Sequence, residues 1–489
     1  MLPADCLNEI FEYLEKDMIT LYSCLLINRI WCQVSVRILW RNSWNYNACT
    51  YNTLIACLPN ESKDILNGKG IIIPTPTSGP PMFNYASFCK IISTDMIDNS
   101  IEQLLKEQQS ITSQNLDDNL YIVAQEIYKL FMIRISSLKK INFYWHIPNI
   151  IFTSYPGAKD CLKDLLELHC NSNIYSEILY QLSQICNNIQ SIIIEFEEII
   201  SNGLKELISV QQNLKYLSIS QSYDCEGMKD IIPSLNKLSN TLIKLNLYGG
   251  YGIHYIPLSF IANFTNLQEI KLSFNNINTF EGFEKLLFVT FPQLKILKIQ
   301  FSFPRCEILI RFLEINGKNL KELYLGDMSG ESDDSLNLAI AKFCTNLRKL
   351  SVGFKNDEIE TLKIIFKGCQ YLESIKILCG GELLSEKEAL ETFVKYSSEN
   401  ICELILCNLY EIKSVLLPEE LESFFVSWTK RVPQKSLSFI IINDIVNSLF
   451  TNYENMKIIE NYIKLGVINK FRVSDDDDDD CDDYLIKNY

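Results

Sequence analysis

Residues 213–219, NLKYLSI, carry the seven-residue pattern that decides the fold, because the chain repeats it many times. Apolar residues stand at the second, fifth and seventh positions, the alternation expected of a β-strand with one buried face. The pattern recurs as NIQSIII (188–194), TLIKLNL (241–247), NLQEIKL (266–272), QLKILKI (293–299), NLKELYL (319–325), NLRKLSV (346–352), YLESIKI (371–377) and NICELIL (400–406). Successive units are 25 to 29 residues apart. The sequence therefore predicts nine strands that stack in near-register.

Each strand pattern is followed by a more helical stretch, such as SDDSLNLAIAKFC at 332–344. A strand reading L-x-x-L-x-L plus a helix is the pattern of a leucine-rich repeat, in which one unit cannot bury its own apolar face. Weaker units begin at Leu138, Leu162, Ser436 and Val467. We therefore predict an α/β fold in which residues 136–473 form a solenoid, with a curved parallel sheet inside and helices outside.

The first 45 residues have a different, helical pattern. In LPADCLNEIFEYL (2–14), the residues Leu7, Ile10, Phe11 and Leu14 fall on one face of a helix. Two further helices are predicted at about 20–27 and 28–40. Three short helices cannot bury all of this apolar surface among themselves, so it must pack on the rest of the chain or on a partner.

The order of these residues resembles an F-box. The resemblance rests on Leu2-Pro3, Leu7, Ile10-Phe11, Leu14, Leu25-Leu26-x-Asn28-x-x-Trp31 and Leu39-Trp40. It implies docking on a Skp-type adaptor, which binds a cullin in a ubiquitin ligase. The residues that would face the adaptor are Leu2, Pro3, Leu7, Ile10 and Leu14, with Leu25 and Trp31 shaping the surface.

A cysteine or phenylalanine often stands three residues before the leading apolar residue of a repeat. These residues are Cys186, Phe264, Phe291, Cys344 and Cys369. This resembles the cysteine-containing class of leucine-rich repeats, and the whole chain resembles fungal F-box proteins with such repeats. The predicted order is an F-box (1–45), a helical spacer and cap (46–135), the repeat array (136–473) and a disordered acidic tail (474–489).

Composition and charge restrict the functional classes. The net charge is −15, and eight of the negative charges lie in the tail between Asp475 and Asp483. Without the tail the chain is still acidic, so nucleic acid is not an expected partner. Asp5 and Glu9 argue against a signal peptide, and no apolar run is long enough for a membrane span. Seventeen cysteines include no CxxC pair, so we expect no zinc site, and free thiols in the cytoplasm or nucleus.

No catalytic constellation is recognisable, so we expect a protein that is not an enzyme and needs no cofactor. The three histidines, His146, His169 and His254, lie in different units. A catalytic histidine needs a positioned partner, and none is evident. Nucleotide-binding glycine motifs are also absent from the sequence.

The sheet offers a binding surface instead. The second and third variable positions of each strand point away from the core. They place lysines and tyrosines on one face, at Tyr216, Lys244, Tyr248, Lys271, Lys298, Tyr324, Lys349 and Lys376, with Glu269 and Glu322 among them. Lysines could attract an acidic or phosphorylated segment of a target. Alternatively, these residues serve only solubility and strand propensity.

Two functional hypotheses follow. In the first, the chain is the substrate-recognition subunit of an SCF-type cullin ubiquitin ligase, with an unknown target protein on the repeats. In the second, it is a free-standing repeat scaffold or inhibitor, and the N-terminal helices only cap it. The acidic tail is either a solvating end or a segment that folds back over the lysines and competes with the target.

Overall fold

The computed structural model describes residues 4–74, 81–107, 115–143, 150–197, 200–221, 228–249, 257–275, 277–326, 333–408, 416–442 and 452–474. The chain forms two compact units, residues 1–242 and residues 243–489. Leu2, Pro3, His146, His254 and the acidic tail lie outside the described residues. Among the described residues, no helix is long and apolar enough to cross a membrane.

Among its described residues, the first unit contains five strands, which pair in parallel and in sequence order. They are β1 (Ile91–Ser93), β2 (Lys140–Phe143), β3 (Glu167–Asn171), β4 (Ser191–Phe196) and β5 (Tyr216–Gln221). Its α-helices are α1 (Ala4–Glu12), α2 (Met18–Cys24), α3 (Arg29–Leu39), α4 (Ala48–Ala56), α5 (Asn60–Gly68), α6 (Thr94–Lys106), α7 (Leu116–Arg134), α8 (Ala158–Leu162), α9 (Ser176–Ile185), α10 (Asn202–Ser209) and α11 (Ile232–Asn236). The three helices predicted before residue 45 are thus present as α1 to α3.

The sheet begins earlier than the predicted array. β1 lies inside the range 46–135 that the sequence predicts to be a spacer, and Ile92 is register partner of Ile141 on β2. The repeat pattern of β1 runs from Cys89 to Thr94. Its three core positions are occupied by Cys89, Ile92 and Thr94, where the L-x-x-L-x-L pattern has leucines. Cys89 and Thr94 are nevertheless fully buried. The first and last core positions of this repeat are therefore filled by small buried residues, Cys89 and Thr94. A search for leucines at these positions does not detect the repeat.

The described part of the second unit contains nine parallel strands, again in sequence order. They are β6 (Lys244–Tyr248), β7 (Glu269–Phe274), β8 (Ile296–Phe301), β9 (Glu322–Leu325), β10 (Lys349–Gly353), β11 (Ser374–Cys379), β12 (Glu403–Asn408), β13 (Leu437–Ile442) and β14 (Ile468–Ser474). Its α-helices are α12 (Cys306–Asn316), α13 (Asp334–Phe343), α14 (Ile359–Gly368), α15 (Glu386–Tyr396), α16 (Pro418–Thr429) and α17 (Tyr453–Lys464). Short 3-10 segments, Leu258–Asn263 and Phe283–Phe288, stand where β6 and β7 would otherwise be followed by α-helices.

Burial follows the repeat pattern in both units. The nine leading apolar residues of the quoted repeats are at most 1% exposed. The residues three positions before them, such as Cys186, Phe264 and Cys369, are equally buried. The thiols of Cys186 and Cys369 donate to carbonyl oxygens of the preceding repeat, at 3.2 Å from Leu162 and 3.5 Å from Cys344. The cysteines thus serve as small core residues that also satisfy neighbouring backbone.

Strand order, parallel pairing and the alternation of strand with helix identify a leucine-rich-repeat fold and confirm the predicted fold class. The boundary between the two compact units falls after Leu242. It therefore lies within residues 136–473, the range that the sequence predicts to be the repeat array.

Candidate functional site

The N-terminal helices form a small core of their own. Its fully buried residues are Leu7, Phe11, Leu21, Cys24, Val34, Ile38 and Leu39. Phe11 meets Trp31 edge-to-face, with ring centroids 5.1 Å apart. Asn28 caps α3, because its side-chain oxygen accepts from the backbone N–H groups of Ile30 and Trp31. The three helices are therefore packed in a defined arrangement without a partner protein.

The end of α3 is joined to the edge of the sheet. The Arg41 carbonyl accepts hydrogen bonds from the backbone N–H groups of Lys90 and Ile91, at 2.7 and 3.1 Å. Asn42 forms a parallel bridge with Ile91. The Ser43 hydroxyl oxygen accepts from the backbone N–H of Ser93 at 2.9 Å. The helices consequently cover the β1 edge, which would otherwise expose unpaired backbone groups.

Arg41 also ties α1 to α3. Its guanidinium donates to both oxygens of Glu12, at 2.6 and 2.5 Å, and reaches Glu15 at 3.5 Å. These hydrogen bonds, together with the positive charge, lower the pKa of Glu12, whereas burial acts in the opposite direction. The ion pair is partly exposed, so its contribution to stability is modest.

Replacing Arg41 by methionine is expected to lower the free energy of unfolding by about 0.5–1 kcal/mol at neutral pH. A carboxylate with a lowered folded-state pKa stabilises the fold above its unfolded-state pKa and loses this contribution as the pH falls through the folded value. The difference between Arg41→Met and the parent should therefore shrink below about pH 4. Urea unfolding at neutral pH and below about pH 4 measures this difference in the free energy of unfolding. Arg37→Met, an exposed change on α3 four residues before Arg41, is the control; an equal, pH-independent effect of both changes would refute the assignment.

Six large apolar side chains of this helical unit remain outside its core. We call them the exposed apolar set: Ile10, Tyr13, Ile19, Tyr22, Leu26 and Ile27. Tyr13, Ile19 and Leu26 are 91%, 81% and 89% exposed. Single exposed apolar residues are ordinary, whereas these six fall within 18 consecutive residues.

The predicted adaptor-facing residues divide into three groups. Leu2 and Pro3 lie outside the described residues. Leu7 is buried in the helical core, and Leu14, Leu25 and Trp31 are partly buried against it. Ile10, which is 48% exposed, is the member that belongs to the exposed apolar set. The amphipathic pattern therefore identified mainly the residues that face the helical core. Tyr13, Ile19 and Leu26 are apolar residues that do not fit this pattern, and that mismatch was the sequence signal for them.

All eight residues predicted on the sheet face are described. Tyr216 lies on β5 in the first unit, and the other seven lie in the second unit. There the strand register arranges them in rows across the sheet. One row runs Lys244, Glu269, Ile296, Glu322, Lys349, Ser374 and Glu403; the next runs Asn246, Lys271, Lys298, Tyr324, Ser351, Lys376 and Ile405. Tyr248 lies one pleat beyond the second row.

The two rows differ in charge. The first row contains two lysines and three glutamates, and ion pairs join Lys244 to Glu269 at 2.9 Å and Lys349 to Glu322 at 3.7 Å. The second row contains three lysines and no carboxylate between β6 and β12. Lys271 and Lys376 are buried, at 3% and 9% exposed. The second row is therefore the more electropositive part of this face.

Aromatic rings hold two of these lysines. The ammonium nitrogen of Lys271 lies 5.2 Å from the ring centre of Tyr248, and that of Lys298 lies 4.8 Å from the ring centre of Tyr324. Such contacts favour a cation over the ring face. Lys271 and Lys298 are therefore packed against tyrosines of the same sheet face.

Titratable groups elsewhere offer no assembled reactive centre among the described residues. Burial raises the pKa of the Cys186 and Cys369 thiols to about 12, so they stay protonated at neutral pH. Burial lowers the pKa of His169 to about 3, so that imidazole stays neutral. The described part of the chain contains no group of three or more His, Cys, Asp or Glu residues arranged to hold a metal.

Comparisons with known proteins complete these observations. No family model and no curated protein matches the sequence. Among solved structures, the chain is similar to one in the crystal structure of the Rad7 and Elc1 complex in yeast, with 12% identity, 73% of this chain and 90% of that chain covered, and a TM-score of 0.35. It is also similar to the leucine-rich repeat-containing protein LegL7 from Legionella pneumophila, with 15% identity, 61% and 100% coverage, and a TM-score of 0.37. The assignment of the fold rests on the strand order and register described above.

Proposed function

We propose that this chain is a non-catalytic substrate-recognition subunit of an SCF-type cullin ubiquitin ligase. The observation that carries the proposal is the exposed apolar set on a helical unit that already has its own core. Because these side chains are not needed to hold the helices together, they are available to a Skp-type adaptor. The resemblance of residues 2–41 to an F-box supports the same partner.

In this proposal, the sheet face of the repeats binds the target. The adaptor and its cullin would hold the ubiquitin-conjugating enzyme at a fixed place, and the repeats would keep the target nearby. The gain in rate would come from effective concentration and orientation rather than from bond chemistry on this chain. We place the protein in the cytoplasm or nucleus, in keeping with its free buried thiols.

One observation favours the alternative, a free-standing repeat scaffold or inhibitor. The chain following α3 pairs with β1 through Arg41, Asn42 and Ser43. The helices would therefore have a structural reason to exist as a cap even without an adaptor.

Adaptor binding distinguishes the two functions. The purified full chain is titrated with a Skp-type adaptor by calorimetry, and the complex is sized by light scattering. A one-to-one complex with a dissociation constant at or below about 1 μM supports the ligase function. A folded chain that does not bind the adaptor refutes it and leaves the scaffold as the better account.

A further inference from the structure

A small pocket opens on the sheet face of the second unit, over strands β8 to β12. Its volume is about 40 Å³. The side chains that give it chemical character are those of Lys298, Tyr324, Lys349, Ser351, Lys376 and Glu403. We call it the lysine pocket.

The depression results from a local change in residue size. Gly326, Ser351 and Ser374 line the pocket beside the much longer side chains of Lys298 and Tyr324. Neighbouring strands lie about 4.8 Å apart, so Lys298 on β8 and Lys376 on β11 start about 14 Å from each other. Tyr324 and Ser351 stand between them in the strand register, and the small residues Gly326, Ser351 and Ser374 leave the space that forms the pocket.

The lysine pocket is electropositive. The described residues that line it include three lysines and one carboxylate, that of Glu403; one of the lysines, Lys349, is ion-paired with Glu322 at 3.7 Å. Glu403 is held at both oxygens, because Oε1 accepts from the Ser374 hydroxyl at 2.7 Å and Oε2 accepts from the Ser438 hydroxyl at 2.8 Å. These hydroxyl groups direct the carboxylate toward β11 and β13. The lining thus carries a net positive charge on a chain whose net charge is −15.

We infer that the lysine pocket binds the carboxylate of an aspartate or glutamate side chain in an acidic segment of a protein partner. The inference rests on the proposed function in one respect, since that segment would belong to the target. An ionised carboxylate fits the small volume and is favoured by three lysines. A phosphoryl group is larger than a carboxylate, so it fits the small volume less well. Lys349 is already paired with Glu322 in the first row, so it would contribute only part of its charge.

The test uses the full chain and a labelled hexa-aspartate peptide, with hexa-asparagine as the neutral probe. A second full-length chain carries asparagine at the tail positions Asp475–Asp480, Asp482 and Asp483, so that its own aspartates cannot occupy the pocket. We expect hexa-aspartate to bind this second chain, to weaken as salt is added, and to bind about tenfold less tightly after Lys298→Gln or Lys376→Gln. Lys244→Gln, on the same face but outside the pocket, is the matched control and should change binding less than about twofold.

Several results would overturn the inference. One is a dissociation constant of hexa-aspartate weaker than about 1 mM for both chains, and another is equally tight binding of hexa-asparagine. The others are an equal loss of hexa-aspartate affinity in Lys244→Gln and Lys376→Gln, and tighter binding of a phosphoserine peptide of the same length. Circular dichroism and thermal unfolding establish that each variant is folded. Adaptor binding is measured on the same samples, so a failed peptide test with intact adaptor binding removes the pocket assignment and leaves the proposed function standing.

Discussion

Replacing Ile19 and Leu26 by aspartate is expected to abolish binding of a Skp-type adaptor while the chain stays folded. Both side chains are more than 80% exposed and make no part of the helical core. An apolar anchor buried in an interface contributes about 2–4 kcal/mol, so two such losses, with two charges left to be desolvated, should weaken binding more than about 1,000-fold. Calorimetric titration of the adaptor into each purified chain measures the effect.

The control for this prediction is Val432→Asp, which makes the same kind of change at a residue that is 95% exposed in the second unit. Adaptor affinity should not change in Val432→Asp, and far-ultraviolet circular dichroism should be the same for all chains. If Ile19→Asp/Leu26→Asp binds the adaptor as tightly as the parent, the exposed apolar set is not the docking surface. Substitution is preferable to deleting residues 1–45, because deletion would also remove Arg41, Asn42 and Ser43 from the β1 edge.

Phe393→Ala is expected to cause the largest loss of stability in the second unit. Phe393 is fully buried on α15 and stacks on Trp428 with centroids 5.4 Å apart. It also meets Phe366 and Phe424, at 6.2 and 6.3 Å, so one ring joins three successive helices. Truncation of such a ring removes buried apolar surface and leaves a cavity, at a cost of about 3–5 kcal/mol.

Hydrogen exchange followed by mass spectrometry measures this loss locally. Amides of β11 and β12 should exchange at least about 100-fold faster in Phe393→Ala than in the parent, as a loss of this size implies. Phe288→Ala is the matched control, because Phe288 is 85% exposed and the same truncation there leaves no cavity. Equal exchange in the two variants would show that Phe393 does not couple the helices of neighbouring repeats.

Some of the architecture could be read directly from the residues. In NLKYLSI and its relatives, the core leucines and isoleucines recur at fixed positions over a few neighbouring residues, so a strand and its core face follow from local spacing. The positions before the motif, such as Cys186 and Phe264, were equally legible because each repeat meets a nearly identical neighbour. The same regularity predicted which side of each strand Lys271, Lys298 and Tyr324 would occupy.

Other features depend on contacts between residues that are distant in sequence. β1 was hidden because Cys89, Ile92 and Thr94 do not read as a leucine repeat until they pack against β2. Apart from Ile10, the exposed apolar set was not predicted to face the adaptor. The reason is that an amphipathic period shows which side of a helix is buried, and does not identify the apolar residues on the exposed side. The lysine pocket depends on small residues of β10 and β11 lying beside Lys298 of β8 and Tyr324 of β9.

The sequence by itself therefore determined the repeat, its strands, its core ladder and the charged face, because each is a property of one repeat copied along the chain. Only the tertiary structure decided where the sheet begins, which helical side chains face solvent, and which lysines share a pocket. These depend on the pairing of strands and helices across 25 or more residues. The physical reason is that local spacing fixes the direction of a side chain, whereas its neighbours are fixed by packing between elements.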